Sequence, residues 1–185
     1  TFLYSTNGGS STINSTITSA GGTLITKTGA GTLNLTTGGG GSGSSPAFYT
    51  ITGGAFNNTS GTFDSILAMP AANRLGAQAT TPTLVLTLDA GTLQITSATG
   101  NALAANRKVQ INAAGGAISD FGSNNFYEPA MLNNAASGSS LYLSNISGIS
   151  QFRGAISGTG SVTWNGLGTA SFQASNTYSG GTTLT

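Results

Sequence analysis

The chain has 185 residues, and only 5% of them are charged, whereas roughly a quarter is usual for a soluble domain. Its net charge is +1 and its five cations are scattered, which argues against a partner that is a nucleic acid or an anionic lipid. It contains no Cys and no His, so disulfides, thiol nucleophiles and imidazole metal ligands are excluded from its chemistry. No apolar run approaches the roughly 18 residues of a membrane span, and the sequence predicts none.

The length suits one domain with a continuous core, and we expect residues 1–185 to form a single domain or a segment of a longer stack. Hydrophobic residues make up 37% of the chain and arrive as short alternating runs. Such runs are enough to bury a core, and their period of two predicts strands. The chain is therefore expected to be folded and all-β.

The first part of the chain alternates strand signals with irregular stretches. Phe2–Tyr4 reads as a strand without a partner, and a clearer pair of runs follows in "ITKTGAGTLNL", residues 25–35. Four consecutive glycines then predict a surface loop over residues 36–46. Residues 47–83 are less regular, and Asp64–Met69 is the one predicted helical turn, ended by Pro70.

From Leu84 onward the alternation is regular. The runs "LVLTL", "TLQIT", "KVQIN" and "GAIS" precede a second irregular patch, residues 121–136, which we expect to be a loop packed on the outside. "SLYLSNI", "SQFRGAI" and "GSVTWNG" follow at spacings of about ten residues. Strands this short and this regular are typical of a sandwich, a barrel or a solenoid.

Glycine and threonine mark the start of three related strands. The pairs are Gly31 with Thr32, Gly91 with Thr92, and Gly168 with Thr169. Glycine permits the positive φ that a tight corner needs, and the β-branched threonine begins a strand whose hydroxyl can join a ladder. Six asparagines fit either ordinary turns or stacked amide ladders: Asn34, Asn112, Asn133, Asn134, Asn145 and Asn176.

The four carboxylates are the remaining source of catalytic chemistry. A carbohydrate-cleaving site would need Asp89 with Asp120, or Asp120 with Glu128 and Arg107, gathered in one cleft. We interpret Asp89 and Asp120 instead as turn residues and Glu128 as a solvated charge. Asp64 could cap the predicted helical turn. The sequence thus predicts no catalytic, metal-binding or cofactor-binding residue, and a protein that is not an enzyme.

The C-terminal residues 156–185 carry the most specific pattern, "ISGTGSVTWNGLGTASFQASNTYSGGTTLT". This segment resembles the autotransporter-associated β-strand repeat, of the form "GxGxLxKxGxGTLTLSGxNTYSGGTTxxxG". "NTYSGGTT", residues 176–183, is its most specific piece. The match departs from the family at Trp164, Asn165 and "TASFQAS". The matching positions are Gly158, Gly160, Val162, Gly166, Gly168, Thr169, Phe172, Asn176, Thr177, Tyr178, Ser179, Gly180, Gly181, Thr182 and Thr183.

The resemblance implies a right-handed parallel β-helix in the exported passenger of a bacterial surface protein. The residues alone indicate stacked β coils and leave a β-sandwich as the alternative fold. The expected function is a structural one outside the cell, as a solenoid fibre or scaffold that associates end to end, exchanges strands or continues into further coils. An adhesin passenger or a carbohydrate-binding or carbohydrate-degrading β-helix, with surface glycans as partners, is the alternative.

Overall fold

The computed structural model describes residues 2–5, 9–13, 24–28, 31–35, 48–52, 65–69, 83–95, 99–103, 107–126, 130–132 and 140–185. Within these ranges the regular structure consists of 19 strands, without a helix. The strands lie in three sheets, A, B and C, and every pairing among them is parallel.

Sheet A contains seven strands, β1 (Phe2–Ser5), β3 (Leu24–Thr28), β5 (Phe48–Thr52), β7 (Thr83–Asp89), β10 (Arg107–Ile111), β13 (Ala130–Leu132) and β16 (Ser157–Gly158). Sheet B contains eight, β2 (Ser10–Ile13), β4 (Gly31–Leu35), β6 (Ser65–Met69), β8 (Gly91–Ile95), β11 (Gly116–Asp120), β14 (Ser140–Asn145), β17 (Ser161–Trp164) and β19 (Thr182–Leu184). Sheet C contains four, β9 (Thr99–Leu103), β12 (Ser123–Phe126), β15 (Ile149–Phe152) and β18 (Thr169–Phe172).

The chain winds from sheet to sheet as a β-solenoid. From β7 to β18 it visits sheets A, B and C in turn, and each of these strands except β9, the first of sheet C, pairs with the strand one coil earlier in the same sheet. A parallel β-helix is thereby confirmed, and the sandwich alternative is wrong, because sandwiches of this size are built from antiparallel hairpins and Greek keys. The absence of two-residue hairpin turns between most runs already favoured parallel coils.

Three expectations for the first 136 residues are wrong. Asp64–Met69 was expected to form a helical turn, yet β6 occupies Ser65–Met69 and pairs with β4 and β8. The expected outer loop at residues 121–136 contains β12 and β13, which extend sheets C and A. The first strand does have a partner, since β1 pairs with β3. In the first two, pairing with neighbouring coils outweighs local sequence preference. The glycine-rich loop at 36–46 lies outside the described residues.

The core consists of apolar side chains stacked in register from coil to coil. In sheet B, Leu93, Ile118, Leu143 and Trp164 lie opposite one another in successive strands, and all four are buried. In sheet C, the rings of Phe152 and Phe172 stack with centroids 5.1 Å apart. Each coil thus covers the apolar row of the coil below it, as in other solenoids.

Coil length varies along the stack. Ser119 and Ser144, whose hydroxyls bond at 3.1 Å, are 25 residues apart, whereas Ser140 and Ser161, bonded at 2.8 Å, are 21 apart. Because coil length varies, equivalent residues do not recur at a fixed period in the sequence. The three Gly-Thr pairs are also not equivalent positions: Gly31 and Gly91 begin sheet B strands, while Thr169, after Gly168, begins a sheet C strand.

Glycine serves two different purposes at the corners. Gly31 has φ +104° and needs the freedom of a residue without Cβ. Gly168 has no positive φ, but a Cβ there would lie 2.7 Å from the Gly148 carbonyl oxygen and 3.0 Å from the side chain of Asn145. The expectation that all three repeat glycines supply positive φ is therefore wrong for Gly91 and Gly168, neither of which has a positive φ. At Gly168, close packing requires glycine.

Candidate functional site

Sheets B and C meet at a corner built from polar side chains. Asp120 ends β11 and Asn145 ends β14, and the two residues lie opposite each other in adjacent coils. Ser150 approaches them from β15, where it takes a buried position in the same strand as Phe152. We call these three residues, Asp120, Asn145 and Ser150, the polar corner.

Hydrogen bonds link the three side chains to one another and to the turns. The Ser150 hydroxyl donates to Asp120 Oδ2 at 2.5 Å, and Asn145 Nδ2 donates to Ser150 Oγ at 2.7 Å and to the Gly122 carbonyl at 3.0 Å. Asp120 Oδ1 accepts from the Gly122 amide at 3.1 Å, and Asn145 Oδ1 accepts from the Ser147 amide at 2.7 Å. The network closes two successive turns between sheets B and C and joins them to each other.

Burial decides what the polar corner can do. Asp120 and Asn145 are each 1% exposed and Ser150 is 0% exposed. A serine held against a carboxylate is one element of a nucleophilic site, but a nucleophile must reach its substrate. In this conformation the solenoid wall covers the hydroxyl on every side. The geometry instead suits a structural role, because buried polar groups that satisfy one another fix a unique arrangement of the chain.

The other acids do not join Asp120. Asp89 ends β7 at the corner between sheets A and B, where its Oδ1 accepts a 3.2 Å hydrogen bond from the Ala114 amide. Asp89 and Asp120 are the last residues of strands and not turn residues as expected, although each carboxylate accepts a hydrogen bond from an amide in a turn. Asp64 and Glu128 lie outside the described residues, and Arg107 is placed only as the first residue of β10. In the described part of the chain, no group of three or more His, Cys, Asp or Glu is arranged to hold a metal ion.

Sequence reasoning singled out Asp120 and Asn145 but missed Ser150. Asn145 is neither an ordinary loop residue nor part of an amide ladder, since its partners are a serine and backbone groups. The signal for Ser150 was available in "ISQF", where a serine alternates with a buried phenylalanine. A polar residue at an inward position predicts a buried hydrogen-bond partner.

An apolar ridge runs over the outside of the same corner. Four of the five large hydrophobic side chains exposed in the described residues belong to turns or strand starts between sheets B and C. They are Phe121, Ile146, Ile149 and Leu167, which we call the corner ridge. Leu167 is the most exposed, at 93%. The ridge is narrow and discontinuous, since Ser147 and Gly148 separate Ile146 from Ile149.

The fifth exposed hydrophobic residue, Leu184, marks the C-terminal edge of sheet B. β19 is the outermost strand of this sheet, and Leu184 lies opposite Trp164 of β17. Trp164 is 8% exposed beneath it, whereas Leu184 is 75% exposed. All three residues of β19 are exposed. The apolar row that is buried in earlier coils thus reaches solvent here, on a strand that pairs with β17 along one side only among the described strands.

A row of polar side chains lies on the outer face of sheet C. Gln151 Oε1 accepts from Arg153 Nη2 at 3.0 Å and from Gln173 Nε2 at 3.1 Å, and Gln173 also approaches Ser171 Oγ at 3.3 Å. Gln151 and Gln173 belong to neighbouring coils, 22 residues apart. The row therefore presents amide, guanidinium and hydroxyl groups at the spacing of adjacent strands.

No protein-family model matches the chain, and comparisons with characterised proteins and with solved structures likewise find no match. The described residues contain no helix of the length and apolar character that crossing a membrane requires. The fold and its surfaces are consequently the basis for assigning a function.

Proposed function

We propose that this chain is a non-enzymatic structural protein, a β-solenoid fibre or scaffold subunit that associates end to end or by strand exchange. The observation that carries the proposal is the C-terminal edge of sheet B. An outermost strand offers unpaired backbone N–H and C=O groups, and such an edge is a template for another strand. Here the template also carries the exposed Leu184, which a further coil would cover.

The same features support continuation of the stack into further coils of one polypeptide. Each coil in the described part buries the apolar row of its neighbour, so a strand added on β19 gains both hydrogen bonds and apolar contact. Natural solenoids avoid unwanted growth by capping their ends with polar or charged elements. In β19 the side chains are two threonines and a leucine, which favour growth over capping.

An extracellular, bacterial surface location is part of the proposal and rests on the resemblance of residues 156–185 to the autotransporter-associated repeat. Composition is consistent with it, since the chain lacks Cys and carries few charges. Hydrogen-bonded coils and stacked side chains then supply the stability that disulfides provide in many secreted proteins.

Self-association is tested with the 185-residue chain by sedimentation velocity and negative-stain electron microscopy over a range of protein concentrations. We expect oligomers or short fibres whose abundance rises with concentration. Leu184→Lys places a charge on the edge strand and should reduce the assemblies, because edge charges disfavour strand addition. Leu167→Lys is the matched control, since it adds the same charge at an exposed leucine outside the edge strand.

Monomers alone at every concentration would refute the proposal, provided that circular dichroism shows the β-rich fold. Equal loss of assembly in both lysine variants would mean that general charge, and not the edge of sheet B, governs association.

A second candidate function, an adhesin or glycan-binding passenger, is favoured by the polar row on sheet C. Amide and guanidinium groups such as those of Gln151, Gln173 and Arg153 hydrogen-bond sugar hydroxyls well. Binding to surface polysaccharides that is lost in the double variant Gln151→Ala and Gln173→Ala would support it.

Carbohydrate cleavage is the less favoured form of this function, because Asp120 is buried. It would be supported by a depolymerising activity that the Asp120→Asn variant loses and that an equally folded Ser150→Ala variant retains.

A further inference from the structure

We propose that the polar corner cross-links itself, through an ester bond between the Ser150 hydroxyl and the Asn145 carboxamide. Burial keeps an external substrate away from Ser150, yet an acyl group already lies beside it inside the solenoid wall. Asn145 Nδ2 is 2.7 Å from Ser150 Oγ, so the carboxamide carbon bonded to that nitrogen is within reach of the hydroxyl. This inference concerns a covalent modification and does not depend on self-association.

Asp120 supplies the base that a serine nucleophile needs. Its Oδ2 accepts the hydrogen bond of the Ser150 hydroxyl at 2.5 Å, and all three side chains of the polar corner are at most 1% exposed. A hydroxyl is a weak nucleophile until an adjacent base takes its proton. The Gly122 amide, 3.1 Å from Asp120 Oδ1, holds the carboxylate in place. Asp120 is therefore positioned to take the proton as Ser150 Oγ attacks.

A backbone donor polarises the Asn145 carboxamide. Asn145 Oδ1 accepts a hydrogen bond from the Ser147 amide at 2.7 Å, and a donor at this distance stabilises the negative charge that develops on the oxygen during attack. Attack at Cγ requires the carboxamide plane to turn toward Ser150 about the Cβ–Cγ bond, and this torsion is soft in Asn. Because the fold holds the two groups together, their effective molarity can reach about 10⁵ M or more.

The step balances without a further reactant. The Ser150 Oγ–H bond and the Asn145 Cγ–Nδ2 bond break, and an ester bond forms between Cγ and Oγ. Asp120 passes the serine proton to the departing nitrogen, which leaves as ammonia and is diluted into the solvent. Asp120 is a carboxylate before and after the step, and nothing is oxidised or reduced. Burial then preserves the ester, because the corner excludes the water that would hydrolyse it.

The ester closes the turn between β14 and β15 covalently. It joins residues five positions apart and fixes the path of the chain from sheet B to sheet C. The chain contains no Cys, so a disulfide cannot provide such a bond. In the next coil Ala170 lies opposite Ser150, so the nucleophile is not repeated there.

Intact-mass spectrometry of the 185-residue chain tests the cross-link. We expect the folded chain to weigh one ammonia molecule less than its sequence requires, in a fraction that rises with time after refolding from urea. Chain kept in urea should retain its full mass, because unfolding separates Asp120 from Ser150.

Peptide analysis locates the bond. Trypsin cleaves after Lys108 and Arg153, so the whole polar corner falls within one peptide, residues 109–153. Fragmentation of this peptide should give no backbone fragments between residues 145 and 150, because the ester places them in a ring. Hydroxylamine opens the ester and should restore those fragments.

Three variants test the roles of the side chains. Ser150→Ala should abolish the ammonia loss, and Asp120→Asn, which keeps an acceptor but lacks the base, should slow it by about a hundredfold or more. Ser147→Ala is the matched control, since its exposed side chain lies in the same turn and its backbone amide is retained. It should lose ammonia as the unmodified sequence does. Circular dichroism verifies that each variant folds.

Several results would overturn the inference. One is a folded chain that keeps its full mass after prolonged incubation. Another is ammonia loss that persists in folded Ser150→Ala, since a succinimide at an asparagine loses ammonia without a serine. Loss of water in place of ammonia would indicate an ester between Asp120 and Ser150 instead. An undiminished rate in folded Asp120→Asn would overturn the assignment of the base. If Ser150→Ala does not fold, the peptide decides: fragments between residues 145 and 150 in the ammonia-depleted peptide would contradict the ring.

Discussion

The two corners that flank sheet B are built by different means. Between sheets A and B the chain turns through its backbone: Gly9, Ala90 and Gly115 each precede a sheet B strand and each has a positive φ. Between sheets B and C, the turns after β11 and β14 rely on the polar corner. The A–B corner therefore depends on backbone conformation, whereas the B–C corner combines one left-handed glycine, Gly148 with φ +82°, with buried side-chain hydrogen bonds.

The difference predicts where substitutions matter. At the A–B corner the cost of a change is local, because it comes from the conformation of one residue. At the B–C corner one side chain serves groups from two coils, so its removal leaves several buried polar atoms without partners. Equivalent substitutions at the two corners should thus have unequal effects on the stability of the stack.

Among substitutions at the corners, the largest effect is expected for Asp120→Ala. It removes the acceptor of the Ser150 hydroxyl and of the Gly122 amide, both of them buried, and should lower the free energy of unfolding by about 3 kcal/mol. Asp89→Ala is the matched control at the A–B corner, where the carboxylate accepts a hydrogen bond at an exposed position. It should cost less than about 1 kcal/mol. Urea unfolding followed by circular dichroism measures both; equal losses would contradict the contrast.

Gly115→Ala should have the next largest effect. Gly115 has φ +80°, and an added Cβ would lie 3.0 Å from the Ser140 carbonyl oxygen, so we expect a loss of about 2 kcal/mol. Gly9→Ala isolates the conformational cost, since Gly9 has φ +89° and no atom within 4 Å of the added Cβ. Its loss should be about 1 kcal/mol. The same unfolding measurement applies, and a larger loss at Gly9 would contradict the prediction.

Ala90→Gly should change stability by less than about 1 kcal/mol. Ala90 is the one non-glycine residue with positive φ in the described chain, at 58°. Glycine would relieve this backbone cost but would lose a buried methyl group and gain unfolded-state entropy. Ala90→Val is the informative comparison, because a β-branched residue is a poor fit to this conformation. A valine variant as stable as the glycine variant would contradict the backbone account of this corner.

The smallest effect is expected for Leu167→Ser on the corner ridge. Leu167 is 93% exposed, so its side chain contributes little apolar burial, and the free energy of unfolding should change by less than about 0.5 kcal/mol. Phe152→Ser, in the buried aromatic stack of sheet C, provides the contrast, with an expected loss of about 4 kcal/mol. A large loss at Leu167 would mean that the ridge is packed in the folded protein.

Much of the fold was predictable from alternation alone. The runs from Leu84 onward correspond to β7, β8, β10 and β11, and "SLYLSNI", "SQFRGAI" and "GSVTWNG" contain β14, β15 and β17. Prediction failed where the alternation of apolar and polar residues was weak. "SILAM" lacks strict alternation and follows an aspartate, so a helical turn was expected, yet it forms β6. Pairing on both sides, to β4 and β8, decides its conformation.

The candidate site was less predictable than the strands. Asp120 and Asn145 lie 25 positions apart in the chain, and only the coil length places them opposite each other. Coil length varies from turn to turn, so the spacing could not be read from a repeat. Ser150 shows the same limit, because its carboxylate partner is 30 residues away in sequence.

By itself the sequence determined that the chain is all-β and that it lacks thiol and imidazole chemistry. These properties follow from local alternation and composition, which can be read without knowing which coils are neighbours. The tertiary structure decided that the sheets are parallel, which residues stack, and that Leu184 is exposed on an edge strand while Trp164 below it is buried. Those properties depend on which coil lies next to which, and hydrogen bonding between residues 20 to 26 positions apart along most of the later coils sets that order.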